Sequence, residues 1–397
     1  MSLTQLRDQL QRLETQGLLR RRRILQSQQG THVRVDGHEL VSFCSNDYLG
    51  LASHPELIEA AREGAKLYGV GAGASHLMSG HFDVHHLVEE KLAQFTGLPQ
   101  ALLFSTGYMA NIGVVMSLLG RDDALYADKL NHASLNDAAL LSRAGLHRYP
   151  HLDVQALGKQ LAASSAKRKL VMTDAVFSMD GDIAPLPDLL DLCEHFDAWL
   201  LIDDAHGFGV LGKEGRGALW HFNMRSPRII YMGTLGKAAG VCGAFVAAEK
   251  EVVATLIQRS RSYIYTTASP PLLAHVLLKS LDLIQAEHGR RTRLASLVAL
   301  LRQSLRLKSW RLLESQTPIQ PLIIGDAKAA MSASQALAET GFLVPAIRPP
   351  TVPQGTARLR ISVSADHTIE DIGQLANALN ELDGKIDTRN SENAEII

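Results

Sequence analysis

The sequence is short of cysteine, net charge and long apolar runs, and each shortage closes off a class of protein. Only three cysteines occur among 397 residues, Cys44, Cys193 and Cys242, and no two form a C-x-x-C pair. They read as small buried hydrophobes in a reducing compartment, which excludes a disulfide scaffold and a zinc framework. Forty Lys plus Arg stand against 41 Asp plus Glu, a formal charge of −1, so no nucleic-acid partner is expected. No apolar run approaches the ~18 residues of a membrane span. Met1 to Gly17 mixes polar and apolar residues without a signal-peptide core. The expected location is cytoplasmic, with no membrane partner. Internal repeats and low-complexity tracts are also missing.

What is present is ordinary for a folded enzyme-sized chain. The residues are 46% hydrophobic and 20% charged, which rules out wholesale disorder. The length is enough for two or three domains and a sizeable core. From about residue 100 to 250, short apolar runs alternate with amphipathic ones. Strands are expected at Ala101 to Phe104, Ala124 to Ala127, Lys169 to Thr173, Trp199 to Asp203, Ile229 to Met232 and Ala244 to Ala247. Helical patterns at Tyr108 to Leu119 and Leu186 to Phe196 lie between them. Such alternation predicts an α/β fold, a mostly parallel sheet covered by helices on both faces.

The texture changes after about residue 288. A helical stretch from Arg291 to Leu307 precedes strand patterns at Gln320 to Ile324 and Leu359 to Val363. A last helix starts near Thr368, with Ile369, Ile372, Leu375, Leu379 and Leu382 at spacings of three and four. The expected organisation is an N-terminal helical or extended segment (1–40), a large domain (41–287), a small α+β domain (288–384) and a flexible tail (385–397). Arg20 to Arg23 form a basic run, read evenly as a solvated helix end or a site for an anionic substrate group.

Several familiar motifs fail on inspection. Gly207-Phe208-Gly209-Val210-Leu211-Gly212 fits G-x-G-x-x-G after a strand, but Lys213-Glu214-Gly215-Arg216-Gly217 is too rich in glycine to open a helix. No acid occurs between Glu214 and Glu249 to bind a ribose. Gly236-Lys237 is followed by Ala238, so the P-loop hydroxyl is absent. There is no H-E-x-x-H and no G-x-S-x-G, and no metal is expected.

Four other features fit one another. Asp203-Asp204-Ala205-His206-Gly207 sits at the C-terminal end of a buried strand, where open α/β sheets hold ligands. Alone, such an acid is as often a local cap. Gly233-Thr234-Leu235-Gly236-Lys237 also follows an apolar strand, and its glycines permit close approach to a ligand; a lone loop lysine is usually solvated. Ser105-Thr106-Gly107-Tyr108-Met109-Ala110-Asn111 is a strand-to-helix turn whose free N–H groups suit a phosphate, or an ordinary cap. His132 follows the strand that ends near Ala127 and, as one of 16 histidines, would more often be structural. Together they offer a Schiff-base lysine, a carboxylate for a pyridine nitrogen, a flat group for a ring face and a phosphate cup. That set describes pyridoxal phosphate chemistry.

These segments, with Ser45-Asn46-Asp47-Tyr48-Leu49-Gly50, resemble the α-oxoamine synthases, which are fold-type I pyridoxal phosphate enzymes. The resemblance runs from about Arg20 to Leu382. It implies that Lys237 binds the cofactor covalently and moves the Cα proton, and that Asp203 pairs with the pyridine N–H. His206 and Ser178 would reach the phenolic oxygen, and His132 would stack on the ring. Gly107, Tyr108 and Thr234 would hold the phosphate, with Thr266 or Thr267 reaching that of a partner in a homodimer.

Ala346-Ile347-Arg348-Pro349-Pro350-Thr351-Val352-Pro353 resembles the members that act in biotin biosynthesis. The expected activity is therefore a PLP-dependent acyltransferase joining L-alanine to a pimeloyl thioester, either pimeloyl-CoA or a pimeloyl-carrier protein, with loss of CO2. Arg348 would take the alanine carboxylate. Thr351, His132 and one arginine of the basic run, Arg20, would touch substrate. A sister synthase using glycine and acetyl-CoA would share the core residues. A non-enzymatic PLP-binding module would have no use for Arg348 or His132.

Overall fold

A computed structural model describes residues 2–16 and 18–392, and the chain divides into two compact units. The first comprises residues 1–48, 179–181 and 292–397, and the second residues 49–178 and 182–291. The expected N-terminal segment thus does not stand alone. Its strand His38–Ser42 pairs in parallel with Phe342–Leu343, which joins it to the C-terminal part of the chain. The expected boundaries at 41 and 288 fall instead at 49 and 292. The last helix, Ile369–Glu392, runs on into the expected tail. Gly384 is the one strong breaker there, and a single helical glycine costs only ~1 kcal/mol. Residues 393–397 lie outside the described residues.

The second unit is built on a seven-stranded sheet. Its strands are β1 (Gln100–Phe104), β2 (Ala124–Asp128), β3 (Gly145–Tyr149), β4 (Lys169–Asp174), β5 (Trp199–Asp203), β6 (Ile229–Thr234) and β7 (Ala244–Ala248). Their spatial order is β1-β7-β6-β5-β4-β2-β3. All neighbours are parallel except β7, which runs antiparallel to both β1 and β6. This is the mostly parallel α/β sheet that the sequence predicts. Strands β2, β5 and β7 are buried almost throughout, as a sheet covered on both faces requires. Leu102, Val114, Leu125, Met172, Ile230 and Val246 belong to one continuous core, each contributing about 1.5–3 kcal/mol by leaving water.

The first unit holds two smaller sheets. His32–Val35 and His38–Ser42 form a hairpin turned by Asp36 and Gly37, both at positive φ (49° and 84°), the conformation for which Asp-Gly is favoured. The other sheet orders Arg311–Leu312, Ile319–Gly325, Ala357–Ser362 and Ala346–Ile347, all antiparallel. Ile372, Leu375 and Leu379 of the last helix are fully buried, whereas Ile369 is exposed and outside the stripe. Of the cysteines only Cys193 is buried; Cys44 is half-buried and Cys242 exposed, which corrects the expectation for those two. Among the described residues, no helix is long and apolar enough to cross a membrane.

Candidate active site

The C-terminal ends of β4, β5 and β6 converge on a cluster of buried polar groups. Asp203 closes β5. Its Oδ1 accepts the Ala205 N–H at 3.0 Å and its Oδ2 accepts Asn111 Nδ2 at 2.8 Å. Lys237 lies three residues beyond β6, and its Nζ is 2.9 Å from His206 Nε2. Asp174 closes β4 and accepts the His132 N–H at 2.7 Å. Burial first, and then the neighbouring Asp203 charge, hold the Asp174 carboxyl well above the usual range.

His132 caps the helix Ala133–Ser142. Desolvation by its neighbours lowers the pKa of its ring; Asp203 opposes the shift and Lys237 adds to it. A chain of donors fixes its tautomer. Asn111 Nδ2 serves both Asp203 Oδ2 and Ser134 Oγ, the latter at 2.9 Å. With Ser134 Oγ accepting there, its own proton points to His132 Nδ1 at 2.8 Å, and the Ser134 N–H points to the same nitrogen at 3.2 Å. Nδ1 is thus an acceptor, and the ring proton sits on Nε2.

Asp204, next to Asp203, has a structural task. Its Oδ2 accepts Tyr231 Oη at 2.7 Å and the Ala218 N–H at 2.6 Å, and burial pushes its pKa up to about 7. Gly217 (φ 87°) makes this approach possible, because a Cβ there would sit 2.4 Å from Asp204 Oδ2. The G-x-G-x-x-G segment opens no long helix: Lys213–Gly215 is a single 3-10 turn.

Gly107 and Tyr108 begin the helix Gly107–Leu118, and Thr106 Oγ1 caps it by accepting the Met109 N–H at 3.2 Å. The first-turn N–H groups precede any intrahelical acceptor and suit an anion. The Tyr108 hydroxyl donates to Asp137, and Thr234 Oγ1 donates to Gly243 O at 3.1 Å. Ser178 is half-buried. The donor set fits pyridoxal phosphate. A primary amine stands beside an imidazole, and each Asp203 oxygen, after one protein donor, retains a lone pair for a pyridine N–H.

Arg20, Arg348 and Thr351 belong to the first unit. They line a cavity of about 1000 Å³ whose walls include Leu19, Val33, Leu343 and Ile347. Arg20 Nη2 donates to Thr351 Oγ1 at 3.5 Å, and Arg348 Nη2 donates to Leu19 O at 3.2 Å. Asn111, Asp174 and Ser134 were not among the expected site residues. The clearest signal for Asn111 was its place in the strand-to-helix motif, as an amide on the buried face of an apolar helix.

The family profile described as aminotransferase class I and II matches residues 38–379. The chain belongs to the class I and II aminotransferase family. It is 65% identical to the 8-amino-7-oxononanoate synthase of Nitrosospira multiformis, over 95% of this chain and 96% of that one. It is 61% identical to the protein of the same name from Nitrosomonas europaea, over 96% and 99%. Solved structures share the fold. A serine palmitoyltransferase from S. paucimobilis with bound PLP–myriocin superposes with a TM-score of 0.92 at 29% identity, covering 98% of this chain and all of that one. An 8-amino-7-oxononanoate synthase from Francisella tularensis gives 0.75 at 32%, covering 88% and 98%. The fold is that of the fold-type I PLP transferases.

Proposed function

We propose that this chain condenses L-alanine with a pimeloyl thioester, supplied as pimeloyl-CoA or on a carrier protein, to give 8-amino-7-oxononanoate for biotin biosynthesis. The observation that carries this reading is the Lys237 amine, 2.9 Å from His206 and beside the buried Asp203, in a chain 61–65% identical to two synthases of that activity. Pyridoxal phosphate, when bound, supplies an electron sink for negative charge on the amino-acid Cα.

The chain's own residues do the rest. Lys237 would hold the cofactor through its amine, and the same amine would take the proton from the alanine Cα. Asp203 holds the positive charge of the pyridine nitrogen, and His206 and Ser178 hold the phenolic oxygen. His132 covers the ring and offers Nε2–H to substrate. Gly107, Tyr108 and Thr234 take the phosphate. Arg348 binds the alanine carboxylate with its planar fork, and Arg20 and Thr351 bind the acyl substrate. A C–C bond forms between alanine Cα and the thioester carbonyl, the C–S bond breaks with its electrons going to sulfur, and the carboxylate leaves as CO2, its bonding electrons staying at Cα, which takes a proton back. The enzyme acts in the cytoplasm as a homodimer, with Thr266 or Thr267 reaching the partner's phosphate.

The test is a panel of acyl thioesters with alanine, glycine and serine. L-Alanine with a pimeloyl thioester is expected to give far higher kcat/KM than glycine with acetyl-CoA or succinyl-CoA. Neighbouring chain lengths differ by only ~1–3 kcal/mol per methylene and should react too. Equal or better turnover of glycine with acetyl-CoA would overturn the substrate assignment.

A further inference from the structure

We propose that His76, His81 and His85 form a binding site for a late first-row divalent cation of the zinc or nickel type, separate from the cofactor site. Each imidazole brings one nitrogen into a common space, all within 4.8 Å of one another. His76 opens the short π-turn His76–Gly80, His81 follows it, and His85 lies in the first turn of the helix Asp83–Thr96. His76 is buried with its ring stacked on Tyr263, 5.0 Å between centroids and 8° from parallel. His85 is wholly buried and His81 is exposed. A cation would therefore meet two fixed ligands and one on the open side through which it enters.

The hydrogen bonds say which lone pairs are available. Nδ1 of His76 and Nδ1 of His81 face each other at 2.9 Å, so the pair holds at most one proton and presents at least one bare nitrogen. A tetrahedral zinc with nitrogens at ~2.0–2.1 Å needs them about 3.3 Å apart, a small movement for the exposed His81. His85 Nε2 faces the Ser269 carbonyl at 2.9 Å and so carries its proton. That is the outer bond by which metal-ligating histidines are commonly oriented. Its Nδ1 accepts the Phe82 N–H at 3.0 Å, so a cation there competes with a backbone donor. His85 is accordingly the weakest of the three ligands, with water completing the coordination. Imidazole donors select zinc, nickel, cobalt or copper over magnesium or calcium. A second group, His81 with His86 and Glu89, shares one histidine, and the His86→Ala variant below tells the two groups apart.

The experiment is calorimetric titration of the purified holoenzyme with zinc chloride, nickel chloride and, as control, magnesium chloride. One equivalent of zinc or nickel per chain and none of magnesium is expected. His81→Ala, at the surface, should weaken binding by about tenfold or more. His76→Asn should do the same, His85→Asn should act less, and His86→Ala should leave affinity unchanged. Cobalt(II) bound at the site should give a visible spectrum that His81→Ala abolishes. Absence of zinc binding would overturn the proposal. So would wild-type affinity in His81→Ala, which would place the cation at the cofactor or elsewhere, or a loss in His86→Ala as large as that in His81→Ala.

Discussion

In the unit that carries Lys237, functional side chains are held by short hydrogen bonds among buried groups: Asp203 by Asn111 and Ala205, His132 by Ser134, Asp174 by the His132 N–H. In the unit that carries Arg348, charged groups reach a largely apolar cavity on long side chains, and Arg20 meets Thr351 only at 3.5 Å. The first arrangement suits a reacting centre, because dipoles already in place need no reorganisation when charge develops. The second suits a substrate that arrives in variable form, because guanidinium groups on long side chains adapt. On the proposed reading, the chemistry is fixed in one unit and recognition is left adjustable in the other.

Substitutions can break that contrast, and the largest effect belongs to Lys237→Ala. Turnover should fall by several orders of magnitude and borohydride-trappable cofactor should vanish; near-normal turnover would remove Lys237 from its role. Asp203→Asn should retain some cofactor but slow solvent-deuterium exchange at alanine Cα by about a hundredfold or more. Unchanged exchange would leave Asp203 as a local cap only. Arg348→Ala should raise the KM for alanine by about tenfold, with a smaller change for the thioester and little in kcat. A loss confined to kcat would mean that the arginine belongs with the fixed groups.

The smallest effect concerns stability alone. His151 bridges Asp128 at 3.0 Å and Asp182 at 2.7 Å. Burial by itself would lower its pKa, but the two hydrogen bonds and the two carboxylate charges together raise it to about 10. A folded-state value above the unfolded one means that this contribution is complete below ~6.5 and is lost as pH rises through about 10. Thermal unfolding should therefore separate wild type from His151→Asn by a few degrees in mildly acidic solution and by less at alkaline pH. A constant gap across that range would exclude the charged bridge.

Six strands of the large sheet were legible because they are buried on both faces and so read as unbroken apolar runs. The seventh, β3, was not: it is an edge strand, mostly exposed, and its Gly-Leu-His-Arg-Tyr carries no such run. Lys237, Asp203 and His206 could be placed together because strand ends in sequence are strand ends in space. Ser134 and Asn111 could not, since the Asn111–Asp203 bond joins residues 92 positions apart and depends on which helix face meets which strand. The arginine run was visible as charge, but the apolar cavity it borders is assembled from segments at both ends of the chain. The three clustered histidines escaped notice because their spacing matches no familiar ligand pattern, and only the π-turn brings the first two together.

The parallel pairing of Val41 with Phe342 has a consequence for how the chain is made. The N-terminal hairpin leaves the ribosome early, yet its neighbouring strand emerges some three hundred residues later. At ~5–20 residues per second, that edge waits roughly 15–60 s without its partner. During that interval β1 too waits, for β7, and an unpaired edge is a template for wrong pairing. Ribosome pausing before residue 342 should therefore lower soluble yield more than pausing after it, and a chaperone that shields exposed strands should relieve the difference.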